Sequence, residues 1–409
     1  MKYVILLGDG MADYPLEELG EKTPLDVAVT PHMDTIASNG TIGLIDTIPP
    51  GYPPGSDVAN LSVLGYDPQI YFTGRGPLEA ASMGIKLSPN DIAYRCNLVT
   101  LDFEGEPTID DFNADHISSE EGKEIIDDLN RELSSDEMHF YPGVGYRHLM
   151  VWKEGSTLVE TTPPHDIVGQ KIHEYLPRGI GAEELKKLMV RSQDILARHP
   201  INTSRISRNK RPANSIWLWG QGRAPEMDPM TKKYNLKGGM ISAVDLLNGI
   251  GVYAGLETIS VAGATGYTDT DYLGKARKAL EYLNKGDFVF IHVEATDEMG
   301  HEGNIEGKIK ALEDFDEKVV GTVLQNISGY GPFRVVVLSD HPTPICVKTH
   351  VSDPSPFAVL SSENAENLSA GRPFTEVAAK ESGILISPGY LLMNYFLVNW
   401  KNFIEETRL

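Results

Sequence analysis

Cysteine is almost missing: 409 residues hold only Cys96 and Cys346. Two thiols this far apart build neither a disulfide framework nor a paired-thiolate metal motif, and a reducing, cytoplasmic compartment suits them. Any metal must be held by oxygen and nitrogen donors. Positive charge is also short, since 36 Lys and Arg face 58 Asp and Glu for a net charge of −22. That balance excludes a field that draws in DNA, RNA or anionic lipid. Long apolar runs are lacking too. The opening MKYVILLGDGMAD has six apolar residues before Gly8, too few for a secretory leader with its cleavage site. The tail ILISPGYLLMNYFLVNW is interrupted by Ser387, Pro388, Asn394 and Asn399, so it cannot form one apolar span of about 20 residues. No membrane or nucleic-acid partner is expected. Internal repeats and low-complexity linkers are absent as well.

Core-forming residues are not short. With 41% hydrophobic and 23% charged residues, the chain has ordinary globular composition, and its length fits one large α/β domain with an insertion, or two domains. Three stretches share one pattern: residues 3–7, 288–293 and 333–338 are β-favouring runs, apolar but for His292 and Arg334, each followed by acidic or imidazole side chains. Continuous rather than alternating hydrophobicity marks strands covered on both faces, as in a parallel sheet with helices either side. Such sheets bind ligands at the carboxyl ends of their strands. Helical spacing at 241–256, 274–286 and 304–327 supplies the crossovers. Between residues 80 and 228 the texture changes to short strand-like pieces, HLMVW and NSIWLWG, mixed with acidic amphipathic helices near 118–134 and 182–198. The predicted architecture is a mainly parallel sheet with helices on both faces, formed by residues 1–79 and 229–409, with an inserted α+β cap at 80–228.

The run FRVVVLSDHPT ends on Asp340 and His341, and an isolated Asp-His pair there is an ordinary turn. Taken together, Asp9, Asp297, His301, Asp340, His341 and His350 all fall at or just after strand ends. Gathering them without a cation would incur several kcal/mol of repulsion and desolvation. Carboxylates and imidazoles without thiolate suit Mn²⁺, Zn²⁺, Co²⁺ or Mg²⁺ rather than Cu(I) or an iron–sulfur cluster. Six such groups are enough for two ions. Ser56 follows a Pro/Gly loop and precedes a helical stripe of Val58, Leu61 and Leu64. It fits an N-cap, and the same place at a positive helix end suits a nucleophile facing a phosphoryl group. The basic run TSRISRNKRPAN, with Arg205, Arg208, Lys210 and Arg211, is a solvated face or an anion site. Arg95, Arg147 and Arg223, beside apolar strand-like segments, suit bidentate grip on carboxylate or phosphate. His165 and Asp166 form either a turn or an acid/base pair. Neither GDG at 8–10 nor AGATG at 262–266 fits a dinucleotide or Walker phosphate loop, and both are expected as turns.

The ordered set LLGDGMAD, PPGSDVANLSVLGYDP, GRGPLEAASMGI, AYRCNLVT, TDEMGHEGN, LSDHPTP and THVSDPSPF resembles the archaeal-type cofactor-independent (2,3-bisphosphoglycerate-independent) phosphoglycerate mutases of the alkaline phosphatase superfamily. The resemblance runs from Leu6 to the tail. It implies an alkaline-phosphatase-like fold and interconversion of 3-phosphoglycerate and 2-phosphoglycerate in glycolysis and gluconeogenesis, without 2,3-bisphosphoglycerate. It makes Ser56 the transiently phosphorylated residue. Asp9, Ser56, Asp340 and His341 match one metal site, and Asp297, His301 and His350 match the other, with manganese the first choice of ion. Where better-known bacterial relatives carry Asn and Glu around the nucleophile, this chain has Gly55 and Asp57, so contacts made by those side chains do not transfer. The cap matches those relatives poorly, which leaves Arg95, Arg147, His165, Asp166, Arg211 and Arg223 as candidates for the substrate's anionic groups. The implied partner is a small molecule, phosphoglycerate, and a homo-oligomer remains open. Alternatives from the same residues are a metal-dependent phosphatase, phosphodiesterase or phosphopentomutase, or a non-catalytic metal-stabilised binding protein in which Ser56 only caps its helix.

Overall fold

A computed structural model describes residues 1–363 and 371–406. The chain divides into two compact units, residues 1–72 with 226–409, and residues 73–225. Strands are numbered along the chain.

The first unit is built on eight strands: β1 (Lys2–Gly8), β2 (Thr41–Ile45), β10 (Gly238–Ile241), β11 (Glu257–Thr258), β12 (Phe288–Val293), β13 (Phe333–Ser339), β14 (Ser355–Ser361) and β15 (Leu385–Ile386). Their order is β11-β10-β12-β1-β13-β14-β2-β15. All pairings are parallel except those of β14, which runs against β13 and β2. The three continuous apolar runs become adjacent central strands, with Ile5 paired to both Phe290 and Val336. Their two faces are equally dry. Val4, Leu6, Val289, Ile291, Val335 and Val337 join a core with Met33, Ile36, Ala276, Leu312 and Phe315 from helices. On the opposite face Ile5, Leu7, Phe290, Val336 and Leu338 are also fully buried. This is the mainly parallel, helix-covered sheet that the runs predict.

Two helices depart from expectation. Of the segment expected as one helix over 241–256, Ile241 closes β10 and the helix itself covers only Asp245–Tyr253. Gly238 and Gly239 let the Leu256 and Ile259 side chains pack close to β10: a Cβ at either position would come within 2.6 Å of one of them. The segment 304–327 is helical, but as Ile305–Asp314, a widened π turn at Phe315–Val320, and Gly321–Asn326. On that turn lies Asp316, whose carboxylate accepts the His32 and Met33 N–H groups at 3.2 and 2.7 Å. It caps the helix Pro31–Asn39, whose own Thr30 makes no side-chain cap.

The second unit is antiparallel. β3 (Ile92–Asp102) pairs with β4 (Thr108–Asp111), β6 (Arg147–Trp152) and β9 (Ser215–Gly222), and β5 (Met138–Val144) pairs with β6. A separate ladder joins β7 (Val159–Glu160) and β8 (Arg178–Gly179). Helices Ser119–Leu133 and Ala182–Leu196 place Ile125, Leu129, Leu185 and Leu188 against Ile216 and Trp217. The helix Arg75–Ser82, which the expected boundary at 79/80 divides, falls wholly in this unit, and its Ala80 packs on Ala93, Leu149 and Val151. Among the described residues no helix is long and apolar enough to cross a membrane.

Candidate active site

The carboxyl ends of β1, β12 and β13 define the site. Asp9 follows β1 directly, and Gly10 turns the chain with φ of 57°. A Cβ on Gly10 would lie 2.4 Å from Asp297 Oδ1 and 2.5 Å from Thr343 Oγ1. The GDG stretch is therefore a turn whose second glycine is demanded by close approach as well as by φ. After β12, the helix Ala295–Glu302 carries Asp297 and His301 one turn apart, on one face. Asp340 and His341 follow β13, and His350 lies in the loop before β14.

Side chains from these segments form two adjoining groups, Asp9 with Asp340 and His341, and Asp297 with His301 and His350, each with donor atoms within 4.8 Å of one another. In the first, His341 Nε2 lies 3.4 Å from Asp9 Oδ1 and 3.6 Å from Asp340 Oδ2. In the second, Asp297 reaches His301 Nε2 at 3.1 Å and His350 Nε2 at 3.5 Å. The His341 and His350 rings are 4.2 Å apart, which joins the groups.

Ser56 is the first residue of the helix Ser56–Val63, not its N-cap, which is Gly55. Its hydroxyl makes no capping bond and instead meets His341 Nε2 at 3.2 Å. The structural role open to it in the sequence is thus not the one it plays.

The electrostatics are those of carboxylates and imidazoles crowded together out of water. Burial, then the neighbouring Asp340 and Asp297 charges, push Asp9 well above the ordinary carboxylate range. For Asp297 burial acts in the same upward direction, but hydrogen bonds from His301 and His350 outweigh it and hold the carboxyl well below that range. The bond to Asp297 lifts His301 to about 9, whereas burial lowers His341. Asp9 Oδ1 is buried without a hydrogen-bond partner, and the His301 and His350 Nε2 atoms point at each other at 3.0 Å. An orphaned carboxylate oxygen and two facing imidazole nitrogens fit divalent ions with oxygen and nitrogen preference.

Known proteins of this pattern are close in sequence. A family model described as 2,3-bisphosphoglycerate-independent phosphoglycerate mutase matches residues 37–202. A probable mutase of that name from Geobacter sulfurreducens is 53% identical over 97% of this chain and 100% of its own. The chain belongs to the 2,3-bisphosphoglycerate-independent phosphoglycerate mutases. Its relative from Methanosarcina mazei is 55% identical over 90% of this chain and 92% of its own. Among solved structures, a Pyrococcus horikoshii protein aligns with a TM-score of 0.81 at 28% identity, covering 98% of this chain and 97% of the other. The cofactor-independent phosphoglycerate mutase of Thermoplasma acidophilum aligns with a TM-score of 0.66 at 25% identity, covering 97% and 99%.

Several residues beside the candidate site escaped sequence reading. Asn60 Nδ2 donates to Asp340 Oδ2 at 2.8 Å and to the Ser56 carbonyl at 2.9 Å. Thr343 Oγ1 donates to Asp297 Oδ1. His292 Nε2 sits 2.8 Å from Asp9 Oδ2. The available signals were a lone imidazole inside the apolar run FVFIHV and an amide one helical turn after Ser56. Lys308, fully buried, pairs with Asp13 at 2.7 Å and donates to the Thr343 carbonyl at 2.8 Å. This ties the loops after β1 and β13 together.

The candidates in the second unit divide. Arg95 is buried, pairs with Glu79 at 2.9 Å and stacks 4.3 Å from the Trp219 ring. His165 touches the same ring at 5.2 Å, and Arg75, which sequence reasoning passed over within GRGPLEA, lies 6.0 Å from it. Asp166 lies 3.6 Å from His165, whose pKa is lowered by burial. Arg147, exposed, is 5.7 Å from the Tyr146 ring, and Phe112 touches both Tyr146 and His165. Arg211 stands apart, paired with Asp110 and Asp111, and Arg223 is exposed. The basic run is not a solvated face throughout: Arg205 is fully buried, with bonds to Glu121 and to the Arg211 and Ala114 carbonyls.

Proposed function

We propose that the enzyme interconverts 3-phosphoglycerate and 2-phosphoglycerate through a phosphoryl group carried on Ser56. The observation that supports this most is the Ser56 hydroxyl, released from helix capping and set 3.2 Å from His341 within the Asp9–Asp340–His341 group. Divalent ions held by Asp9, Ser56, Asp340 and His341, and by Asp297, His301 and His350, would lower the hydroxyl's pKa and balance phosphoryl charge. Manganese is the first choice, with zinc, cobalt or magnesium compatible with the donors.

Ser56 Oγ gives up its proton and attacks phosphorus in line, the bond from phosphorus to O3 of the substrate breaks, and O3 takes up a proton. Glycerate then presents O2, which loses a proton and attacks the phosphoserine; the P–Oγ bond breaks, Oγ regains a proton and 2-phosphoglycerate forms. Ser56, at a helix amino end, offers the transferred group backbone N–H donors and the positive end of the dipole. Asn60 and Thr343 orient Asp340 and Asp297 by their hydrogen bonds. Water must stay away from the phosphoserine, or the outcome is a phosphatase. In the inserted unit, Arg75, Arg95 and His165 around Trp219 form a cationic, aromatic cluster suited to a small carboxylate, and substrate binding by that unit is part of the proposal. Cys96 and Cys346, neither in a disulfide, suit a cytoplasmic setting.

The test is incubation with Mn²⁺ and 3-phosphoglycerate, following 2-phosphoglycerate by coupling to dehydration and inorganic phosphate by colour. Formation of 2-phosphoglycerate in excess of phosphate supports the reading. Phosphate without 2-phosphoglycerate rejects it in favour of a phosphatase.

A further inference from the structure

Behind Asp9, the sheet buries a polar side chain inside an apolar strand. His292 is the penultimate residue of β12 and is fully buried, as are its neighbours Ile291 and Val293. Both ring nitrogens have partners: Nε2 lies 2.8 Å from Asp9 Oδ2, and Nδ1 lies 3.2 Å from Ser242 Oγ. Ser242 Oγ also accepts the Val244 N–H at 3.0 Å. An ionised Asp9 can only accept, so the ring's proton sits on Nε2 and donates to Oδ2, and Nδ1 is left to accept the Ser242 hydroxyl proton. One oxygen of Asp9 is thereby held. The other, Oδ1, has no hydrogen-bond partner and faces His341 Nε2 at 3.4 Å.

We propose that His292, fixed by Ser242, is a positioning residue that holds Asp9 with Oδ1 presented to a divalent cation. The inference rests on the metal-binding part of the reading above. Without the Nε2 donor, the Asp9 carboxylate is free to turn about its own bond, and the oxygen aimed at His341 is no longer specified. Partners placed behind metal-binding carboxylates and imidazoles are typically worth about 10- to 100-fold in metal affinity.

The test titrates the metal-free full-length chain with Co²⁺, followed by its visible absorption bands. His301→Ala marks which binding step belongs to the Asp297 group. The expected result is that His292→Leu weakens the Asp9 step by about 10- to 100-fold and leaves the other step in place. His292→Gln, which restores an N–H donor, recovers most of the loss. Ser242→Ala, which frees the ring, shows a smaller loss confined to the same step. Unchanged Co²⁺ binding in His292→Leu and Ser242→Ala would overturn the inference, and so would a loss shared equally by both steps, because that is what damaged folding produces. If circular dichroism shows His292→Leu unfolded, Ser242→Ala decides alone, and unchanged binding there overturns the inference. Co²⁺ binding in the expected pattern by a chain that makes no 2-phosphoglycerate would reject the proposed reaction and leave the role of His292 standing.

Discussion

Two ion pairs of equal length separate the effect of burial from that of contact. Lys308 meets Asp13 at 2.7 Å with both side chains wholly inaccessible, and Lys278 meets Glu281 at 2.7 Å with side chains 47% and 68% exposed. Burial lowers the Lys308 pKa, and Asp13 partly restores it. Lys308→Met removes the ammonium and leaves the Asp13 carboxylate with the Ile345 and Tyr14 N–H groups as hydrogen-bond donors. It also strips a donor from the Thr343 and Ala12 carbonyls. Breaking one side of a buried pair costs about 3–5 kcal/mol. At about 2–4 °C per kcal/mol for a domain this large, calorimetric unfolding of the unit should fall by roughly 6–20 °C. Lys278→Met should leave the transition where it was, because solvent already screens that pair. The double variant Lys308→Met, Asp13→Leu should recover part of the loss but not all, since the Ile345 and Tyr14 N–H groups lose their acceptor. Equal shifts for Lys308→Met and Lys278→Met would refute the reasoning.

Ser56→Ala should abolish conversion of 3-phosphoglycerate while leaving the unfolding temperature unchanged, because the hydroxyl makes no capping bond; a stable variant that still turns over removes Ser56 from the mechanism. His148 contributes to the pH dependence of stability. It is 1% exposed, its Nδ1 accepts the Gly143 N–H, and burial pushes its pKa from 6.5 down to about 3. Below pH 6.5 the unfolded chain takes a proton that the folded one refuses, so stability falls as pH falls. Between pH 8 and pH 5 the loss is about 2 kcal/mol. His148→Gln should flatten that part of the urea-unfolding profile, and an identical acid dependence in both proteins would show that the histidine is not the cause.

The sequence revealed most where one run of residues carries a structure by itself. Residues 3–7, 288–293 and 333–338 are buried on both faces, so their hydrophobicity is continuous, and they form the three adjacent central strands. Asp9, Asp297, His301, Asp340, His341 and His350 were visible as polar groups where such runs end, and the structure draws them into two groups. What escaped depends on contacts between distant segments. GGMI is a strand because it pairs with β12, and Leu256 and Ile259 pack where a Cβ on either glycine would stand. Asp316, on the π turn and 283 residues beyond Met33, caps the amino end of Pro31–Asn39. Arg205, within a run that looks solvated, is buried because Glu121 and two carbonyls meet its guanidinium. Asn60 and Thr343 have unremarkable sequence contexts, and only the fold shows which carboxylates they hold.

The most direct test of the phosphoryl relay is to quench the enzyme in acid during turnover of 3-phosphoglycerate labelled in its phosphoryl group, and to map the labelled peptide by mass spectrometry. The account predicts phosphate on Ser56, absent when substrate is omitted. An unlabelled protein from a reaction that is making 2-phosphoglycerate, or label on any other side chain, would contradict it.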